Sequence, residues 1–353
     1  MTKISSRLLR WYDQHGRKNL PWQQNKNPYR VWVSEIMLQQ TQVKTVIPYY
    51  EKFIHRFPTL DSLASAESDE VLSYWSGLGY YARARNLHKL SKIVQKEYDG
   101  CFPTDFETLL SLPGIGRSTA GAILSLALGQ HHVILDGNVK RVLSRLHCIS
   151  GWPGEKKVAD ELWEKATFHT PKNRVEDYNQ AIMDLGSSVC VRGKTPLCKS
   201  CPLAKTCSAF LSNEAANYPQ SKTKPKLPVK KTLMLLVCHS QSVFLEKRPP
   251  VGIWGGLWSF PELEDESLIN SWCQKHIPNP VKNTKTLRGF RHTFSHFHLD
   301  ITPIFIETVG VRNVLMEENS TIWYKLADEK KLGFSAPVSK LLKLVESELR
   351  SMK

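Results

Sequence analysis

Leu112-Pro-Gly-Ile-Gly-Arg-Ser-Thr119 is the stretch on which the fold turns. Apolar residues recur at helical spacing on both sides of it, over 105–112 and 118–128, so two helices meet at a Pro-Gly turn. The glycines permit a tight bend that brings backbone N–H groups near a ligand. The second helix points its positive end outward, which makes an anion site suited to phosphate. Gly114, Gly116, Arg117 and Thr119 are its candidate contacts. Thr104 as N-cap and Glu107 at N3 predict a capping box for the first helix.

The same helical spacing recurs over 29–57, 69–98, 139–146, 156–167 and 175–189. The texture changes near Asn217. Residues 218–231 hold five lysines and three prolines, with no acid between Glu214 and Glu246. That composition reads as an extended, basic linker. Beyond it, 232–238, 243–246, 291–302 and 321–324 are strand-like, and 337–349 is an amphipathic helix. The expected fold is therefore multidomain. An all-α region spans 1–217, with a six-helix core at about 22–130 and an N-terminal helix joined to 131–217. The linker occupies 218–231, and an α+β domain occupies 232–353.

The 353 residues carry a formal charge of +15, which favours a polyanion partner. No run reaches the roughly 18 apolar residues that span a bilayer, and 1–14 lacks a signal-peptide core, so the expected compartment is the cytoplasm. In that reducing setting cysteines argue for metal ligation. Cys190, Cys198, Cys201 and Cys207 form C-x7-C-x2-C-x5-C. Four thiolates so close suit zinc or an iron–sulfur cluster, and the single C-x2-C with uneven flanks fits one [4Fe–4S] cluster better.

Two acids stand out. Glu35 lies on a helical stretch, 31–42, between Val31 and Leu38 on its own row. A lone acid in an apolar stripe is desolvated, its pKa rises, and it becomes a proton donor near neutrality. Asp136 follows an extended segment and precedes a helix. It reads as an N-cap whose carboxylate, held ionised by the helix end, can face a developing positive charge. An acid beside a carboxylate is the pair that glycosidic hydrolysis needs.

With the hairpin, Leu135-Asp-Gly-Asn-Val-Lys140 and the cysteines together, the chain resembles the endonuclease III superfamily, and within it the adenine DNA glycosylases of the MutY type. The resemblance rests also on Leu20-Pro-Trp22, Ser34-Glu-Ile-Met-Leu-Gln-Gln-Thr-Gln-Val43, Gly77-Leu-Gly-Tyr-Tyr-Ala-Arg-Ala-Arg85 and Phe290-Arg-His-Thr-Phe-Ser-His-Phe-His298. It implies a helix–hairpin–helix enzyme, active as a monomer on double-stranded DNA. The enzyme excises adenine mispaired with 8-oxoguanine or guanine and leaves an abasic site. Carried onto this chain, Glu35 protonates the adenine and later activates water, while Asp136 stabilises the sugar cation. Gln40 and Tyr80 enter the base stack, and Trp22, Asn138 and Gln180 match positions near the base pocket. One departure is the first cysteine gap, seven residues where the family commonly has six. Ser118 stands where bifunctional relatives carry a Schiff-base lysine, which favours a monofunctional hydrolase over a pyrimidine glycosylase/AP lyase of the endonuclease III type. Lys140 is a possible minor substitute.

The C-terminal part looks like the Nudix-type fold fused to these enzymes. Arg248–Pro261 matches the run into a Nudix site, but of its acids only Glu262, Glu264, Asp265 and Glu266 follow. Pyrophosphatase activity is therefore not expected. Alternation along 291–300 places His292, Phe294, His296, His298 and Asp300 on one strand face. By resemblance, Phe294, Ser295 and His296 read the 8-oxoguanine.

Overall fold

The computed structural model describes residues 1–193, 195–222, 226–277, 280–309, 320–327 and 331–351. Part of the expected linker, 223–225, lies outside the described residues. The chain condenses into two compact units, Met1–Ser65 with Asn86–Lys224, and Ala66–Arg85 with Pro225–Lys353.

The first unit is helical. It contains α1 (Lys3–His15), α2 (Pro28–Leu38), α3 (Val43–Arg56) and α4 (Leu60–Ala64). After α5 (Ser68–Trp75), in the second unit, comes α6 (Ala82–Glu97), most of which belongs to the first. The first unit continues with α7 (Phe106–Ser111), α8 (Arg117–Ala122), α9 (Gly137–His147), α10 (Lys156–His169), α11 (Val175–Ser188) and α12 (Ser208–Leu211). One apolar core joins Leu8 and Tyr12 of α1 to Val139, Leu143 and Leu146 of α9, Leu162 of α10, and Tyr178, Ile182 and Leu185 of α11.

Three local expectations change. The run 29–57 breaks at a turn where Gln40 takes a left-handed φ of 58°, so the stretch that carries Glu35 ends at Leu38 instead of running to 42. The run 69–98 breaks where Gly77, Gly79 and Tyr80 have positive φ. The N-cap of α7 is Asp105, not Thr104. Its carboxylate accepts from Thr108 N at 2.8 Å, and so short a side chain competes well for that role.

The hairpin itself forms as α7, turn, α8. Gly114 has φ 85°, and a Cβ there would sit 3.3 Å from Asn86 Cβ, so glycine satisfies both constraints. The following helix is not α throughout, since Ile123–Ala127 widens into a π turn. At Gly121 a Cβ would fall 2.3 Å from Val133 O. Glycine alone lets the segment leading to Asp136 run against α8.

Among the described residues the second unit holds an eight-stranded mixed sheet. Its strands are β1 (Val229–His239), β2 (Ser242–Lys247), β3 (Trp258–Ser259), β4 (Glu262–Leu263), β5 (Val281–Thr286), β6 (Phe290–Thr293), β7 (His298–Thr308) and β8 (Thr321–Lys325). The order β3-β2-β1-β7-β5 has β1 and β7 parallel, and β4, β6 and β8 pair with β1, β7 and β2. Helices α13 (Leu268–His276) and α14 (Ala336–Ser351) complete it.

The expected strand over 291–302 is instead a hairpin. Arg291 faces Asp300, Thr293 faces His298, and Phe294 N donates to Phe297 O at 2.9 Å. Ser295 and His296 are therefore the turn. The five side chains expected on one face are divided between two strands and their connection.

Candidate active site

A cleft of about 1020 Å³ opens in the helical unit. It brings Glu35 and Asp136 together with Trp22, Gln40, Ser118, Thr119, Asn138 and Gln180.

Asn27 caps α2 by accepting from Arg30 N at 2.9 Å, and Pro28 occupies the first helical position. Val31, Trp32, Ile36 and Met37 bury their side chains, which fixes the helix rotation. That rotation turns Glu35 into the cleft with Val31 and Leu38 on either side. No hydrogen bond or ion pair holds the Glu35 carboxyl among the described residues. Burial first, and then the Asp136 charge, push its pKa up to about 8.

Asp136 caps α9. Its Oδ1 accepts from Asn138 N at 2.9 Å and Val139 N at 2.8 Å, and its Oδ2 accepts from Asn138 Nδ2 at 2.8 Å. The expectation that the helix end alone holds this group ionised needs correction. Burial is the largest influence and raises its pKa, while the three N–H donors and Arg141 oppose it. The two acids thus compete for one proton. Asp136 has three donors that favour its charged form, and Glu35 has none among the described residues, so of the two Glu35 is the better placed to keep a proton.

Arg141 ties the mouth together, donating to Asn138 Oδ1 and Cys190 O at 2.8 Å each. Ser118 Oγ accepts from Leu135 N at 3.1 Å, next to Asp136. Lys140 is engaged elsewhere, donating to Pro153 O at 3.2 Å. Arg117 lies over the Trp163 ring at 4.0 Å, and Gly116 is the N-cap of α8.

Gln40 is exposed at its left-handed turn. Tyr80 belongs to the second unit, 49% exposed, with φ 51° and the Arg83 guanidinium 5.3 Å from its ring. Both side chains expected to enter a base stack sit on strained backbone, a common mark of functional positions.

The four cysteines follow α11. Cys190, Cys201 and Cys207 pack against the helical core. Burial first, and then the neighbouring Cys190, raise the pKa of Cys198, Cys201 and Cys207, so the thiols lie within one another's fields. Buried Arg145 donates to Cys190 Sγ at 3.2 Å and to the carbonyls of Val191 and Gly193. Among the described residues no three His, Cys, Asp or Glu side chains converge as a single-ion site.

In the sheet unit, Phe294 stacks on Phe297 at 4.5 Å and lies 5.3 Å from Trp254. Ser295 and His296 are exposed at the turn, with Ser295 Oγ 3.4 Å from His296 Nδ1. Glu262 pairs with Arg248, and Asp300 is held by Arg291 at 2.6 and 2.8 Å.

Residues missed in the sequence include Arg17 and Asp184, an ion pair at 2.6 Å in which Asp184 is buried and Arg17 half-buried. The only local signal was the Gln180–Asp184 spacing of four on α11.

Among the described residues no helix is long and apolar enough to cross a membrane. The family of HhH-GPD superfamily base excision DNA repair proteins matches residues 33–167, and the NUDIX domain matches 232–344. An adenine DNA glycosylase of Buchnera aphidicola subsp. Schizaphis graminum (strain Sg) is 42% identical over 341 residues, covering 97% of this chain and 98% of its own length. That of Homo sapiens is 34% identical, covering 94% of this chain and 73% of its own. A solved thermostable thymine-DNA glycosylase superposes with a TM-score of 0.52 at 26% identity, covering 59% of this chain and 95% of that one. Near-full-length identity above 40%, on a helical unit followed by a Nudix-like one, places the matter beyond fold likeness: the chain belongs to the adenine DNA glycosylases.

Proposed function

We propose that this chain, as a monomer, hydrolyses the N-glycosidic bond of adenine mispaired with 8-oxoguanine or guanine in duplex DNA. The observation that carries the reading is the asymmetric acid pair in one cleft, Glu35 without a partner among the described residues and Asp136 with three donors.

Glu35 gives its proton to the departing adenine. The bond from the sugar C1′ to the base nitrogen breaks with its electron pair going to the base. Asp136, already charged, faces the oxocarbenium-like sugar. Glu35, now a carboxylate, takes a proton from the water that attacks C1′, and an abasic site results. Gln40 and Tyr80 assist extrusion of the base, Trp22, Asn138 and Gln180 contain it, and the backbone of Gly114, Gly116, Arg117 and Thr119 holds phosphate. The Ser118 hydroxyl cannot form an imine, and the Lys140 amine is occupied, so the reading is monofunctional.

Cys190, Cys198, Cys201 and Cys207 fit one [4Fe–4S] cluster, because four neighbouring thiolates repel one another and Arg145 is buried beside them. Bound there, the cluster supplies a structural brace for the loop after α11. Phe294, Ser295 and His296 are assigned to 8-oxoguanine. Incubation with a duplex holding adenine opposite 8-oxoguanine should release free adenine and leave alkali-labile strands. Release of neither overturns the reading.

A further inference from the structure

Asp184 is 1% exposed on α11, yet it is the hub of the cleft wall. Its Oδ1 accepts from Arg17 Nε at 2.9 Å and Arg17 Nη2 at 2.6 Å, and its Oδ2 accepts from Arg17 N at 2.7 Å. A further donor is Gln180 Nε2, 2.8 Å from Oδ1. A carboxylate in an ion pair offers only acceptors. The Gln180 amide therefore cannot turn its oxygen toward Asp184. Its NH2 end is held inward, and Oε1 with the second N–H is left to the cleft that Gln180 lines. Oε1 has no hydrogen-bond partner among the described residues.

The same carboxylate steadies a second wall. Arg17 O accepts from Gln23 Nε2 at 2.9 Å, and Gln23 Oε1 accepts from Leu20 N at 3.0 Å. Trp22 lies inside that small loop, edge-on to Tyr50 at 5.5 Å. An aromatic wall and an amide wall are thus both referred to Asp184.

Resting on the adenine-excising reading above, we propose that Asp184, clamped by Arg17, is a positioning residue. It locks the Gln180 amide in the orientation that accepts a 6-aminopurine and rejects a 6-oxopurine. An amide offering one oxygen and one N–H side by side is the bidentate match for adenine, whose N6 donates and whose ring nitrogen accepts. Hypoxanthine puts a carbonyl oxygen where the amine was, so two acceptors face each other. An amide free to turn over would give its N–H to that oxygen and lose the distinction. Asp184 forbids the turn. Asparagine at 184 would not, because its own NH2 can donate to the Gln180 oxygen.

The test uses the full chain on duplexes with adenine or hypoxanthine opposite 8-oxoguanine, under single-turnover conditions, with melting temperatures taken alongside. Asp184→Asn should lower the adenine-to-hypoxanthine rate ratio by roughly 10- to 100-fold, the discrimination of one bidentate pair. Gln180→Leu should lower it as far, and the double variant no further. Equal slowing of both bases by Asp184→Asn, with the ratio kept, reduces the residue to a structural brace and overturns the proposal. A further fall in the double variant overturns it as well, since Asp184 then acts through something other than Gln180. Should Asp184→Asn not fold, Gln180→Leu, which leaves the Arg17 pair intact, decides alone, and a retained ratio refutes the proposal. Wild type releasing no adenine at all overturns instead the excision reading on which the proposal stands.

Discussion

Glu35 in the helical unit and Glu262 in the sheet unit are both acids that burial pushes upward in pKa, and they are answered in opposite ways. Glu262 meets Arg248, which lowers its pKa again through charge and hydrogen bonding. In the same unit Asp69 meets Lys247 at 2.8 Å, and Asp300 meets Arg291. Glu35 meets apolar side chains and a second carboxylate. A paired acid is held in place and its proton affinity is moderated. An unpaired one keeps a proton that it can give away, at some cost to stability. Chemistry belongs where the cost was left standing, as at Glu35, whereas in the Nudix-like unit Arg248 moderates Glu262.

The sharpest break in that contrast is Glu35→Gln, which keeps shape and removes the proton. Single-turnover excision should fall by roughly 10²–10⁴-fold while duplex binding persists. In wild type the rate should decline as pH rises through about 8, where the acid loses its proton. Near-normal turnover by the variant would move the acid elsewhere.

The same substitution measures the stability side. A carboxyl whose folded pKa lies above its unfolded value contributes stability that is complete below about 4.5 and lost as pH climbs through about 8. Wild type and Glu35→Gln should therefore melt together at pH 4. At pH 9 the variant should melt higher by several degrees, on the order of a few kcal/mol. Identical melting at both values would mean that Glu35 is well solvated.

Asp136→Asn comes next. It removes the charge facing the sugar, and an amide at Oδ2 would confront the Asn138 NH2 that now donates there. Excision should drop by about 10²–10³-fold, the scale of losing one electrostatic stabiliser. The Glu35 pKa should fall as its neighbour's charge vanishes, which the pH–rate profile of the residual activity would report.

How much of this was legible depended on distance along the chain. Asp136 as a cap was legible because its partners are Asn138 and Val139. Glu35 was legible because Val31 and Leu38 repeat on its own helix. Arg17 with Asp184 was not, since 167 residues separate them and the Gln180–Asp184 spacing of four says nothing of Arg17. The turn at Ser295-His296 was misread because the alternation of residues continues unbroken across a two-residue connection. Strand β5, Lys- and Thr-rich and exposed along its length, offered no apolar period and escaped notice. Helix 29–57 ran through its break because positive φ at Gln40 has no reliable signature in that residue type, whereas in 69–98 the helical spacing was followed across Gly77 and Gly79, which do mark a turn.

The smallest expected effect lies in the sheet unit, and it tests whether that unit reads the lesion or only clamps the duplex. Phe294 is anchored by Phe297 and Trp254, so the hairpin is a rigid mount, while Ser295 and His296 at its tip are exposed and carry the polar atoms. 8-Oxoguanine differs from guanine by a C8 carbonyl and a hydrogen on N7, so a tip that bonds these atoms loses a partner when guanine replaces the lesion. One such bond amounts to roughly 1–3 kcal/mol, or about 5- to 150-fold in rate. Ser295→Ala with His296→Ala should slow excision of adenine opposite 8-oxoguanine toward the rate opposite guanine and leave the latter nearly unchanged. Both side chains are exposed, and among the described residues the only ring packing the double variant removes is that of His296 beside Phe297 and Phe294, so its melting temperature should stay close to wild type. Equal slowing on both duplexes would make the hairpin a clamp and send lesion reading to another part of the chain. No slowing on either would remove the hairpin from substrate contact altogether.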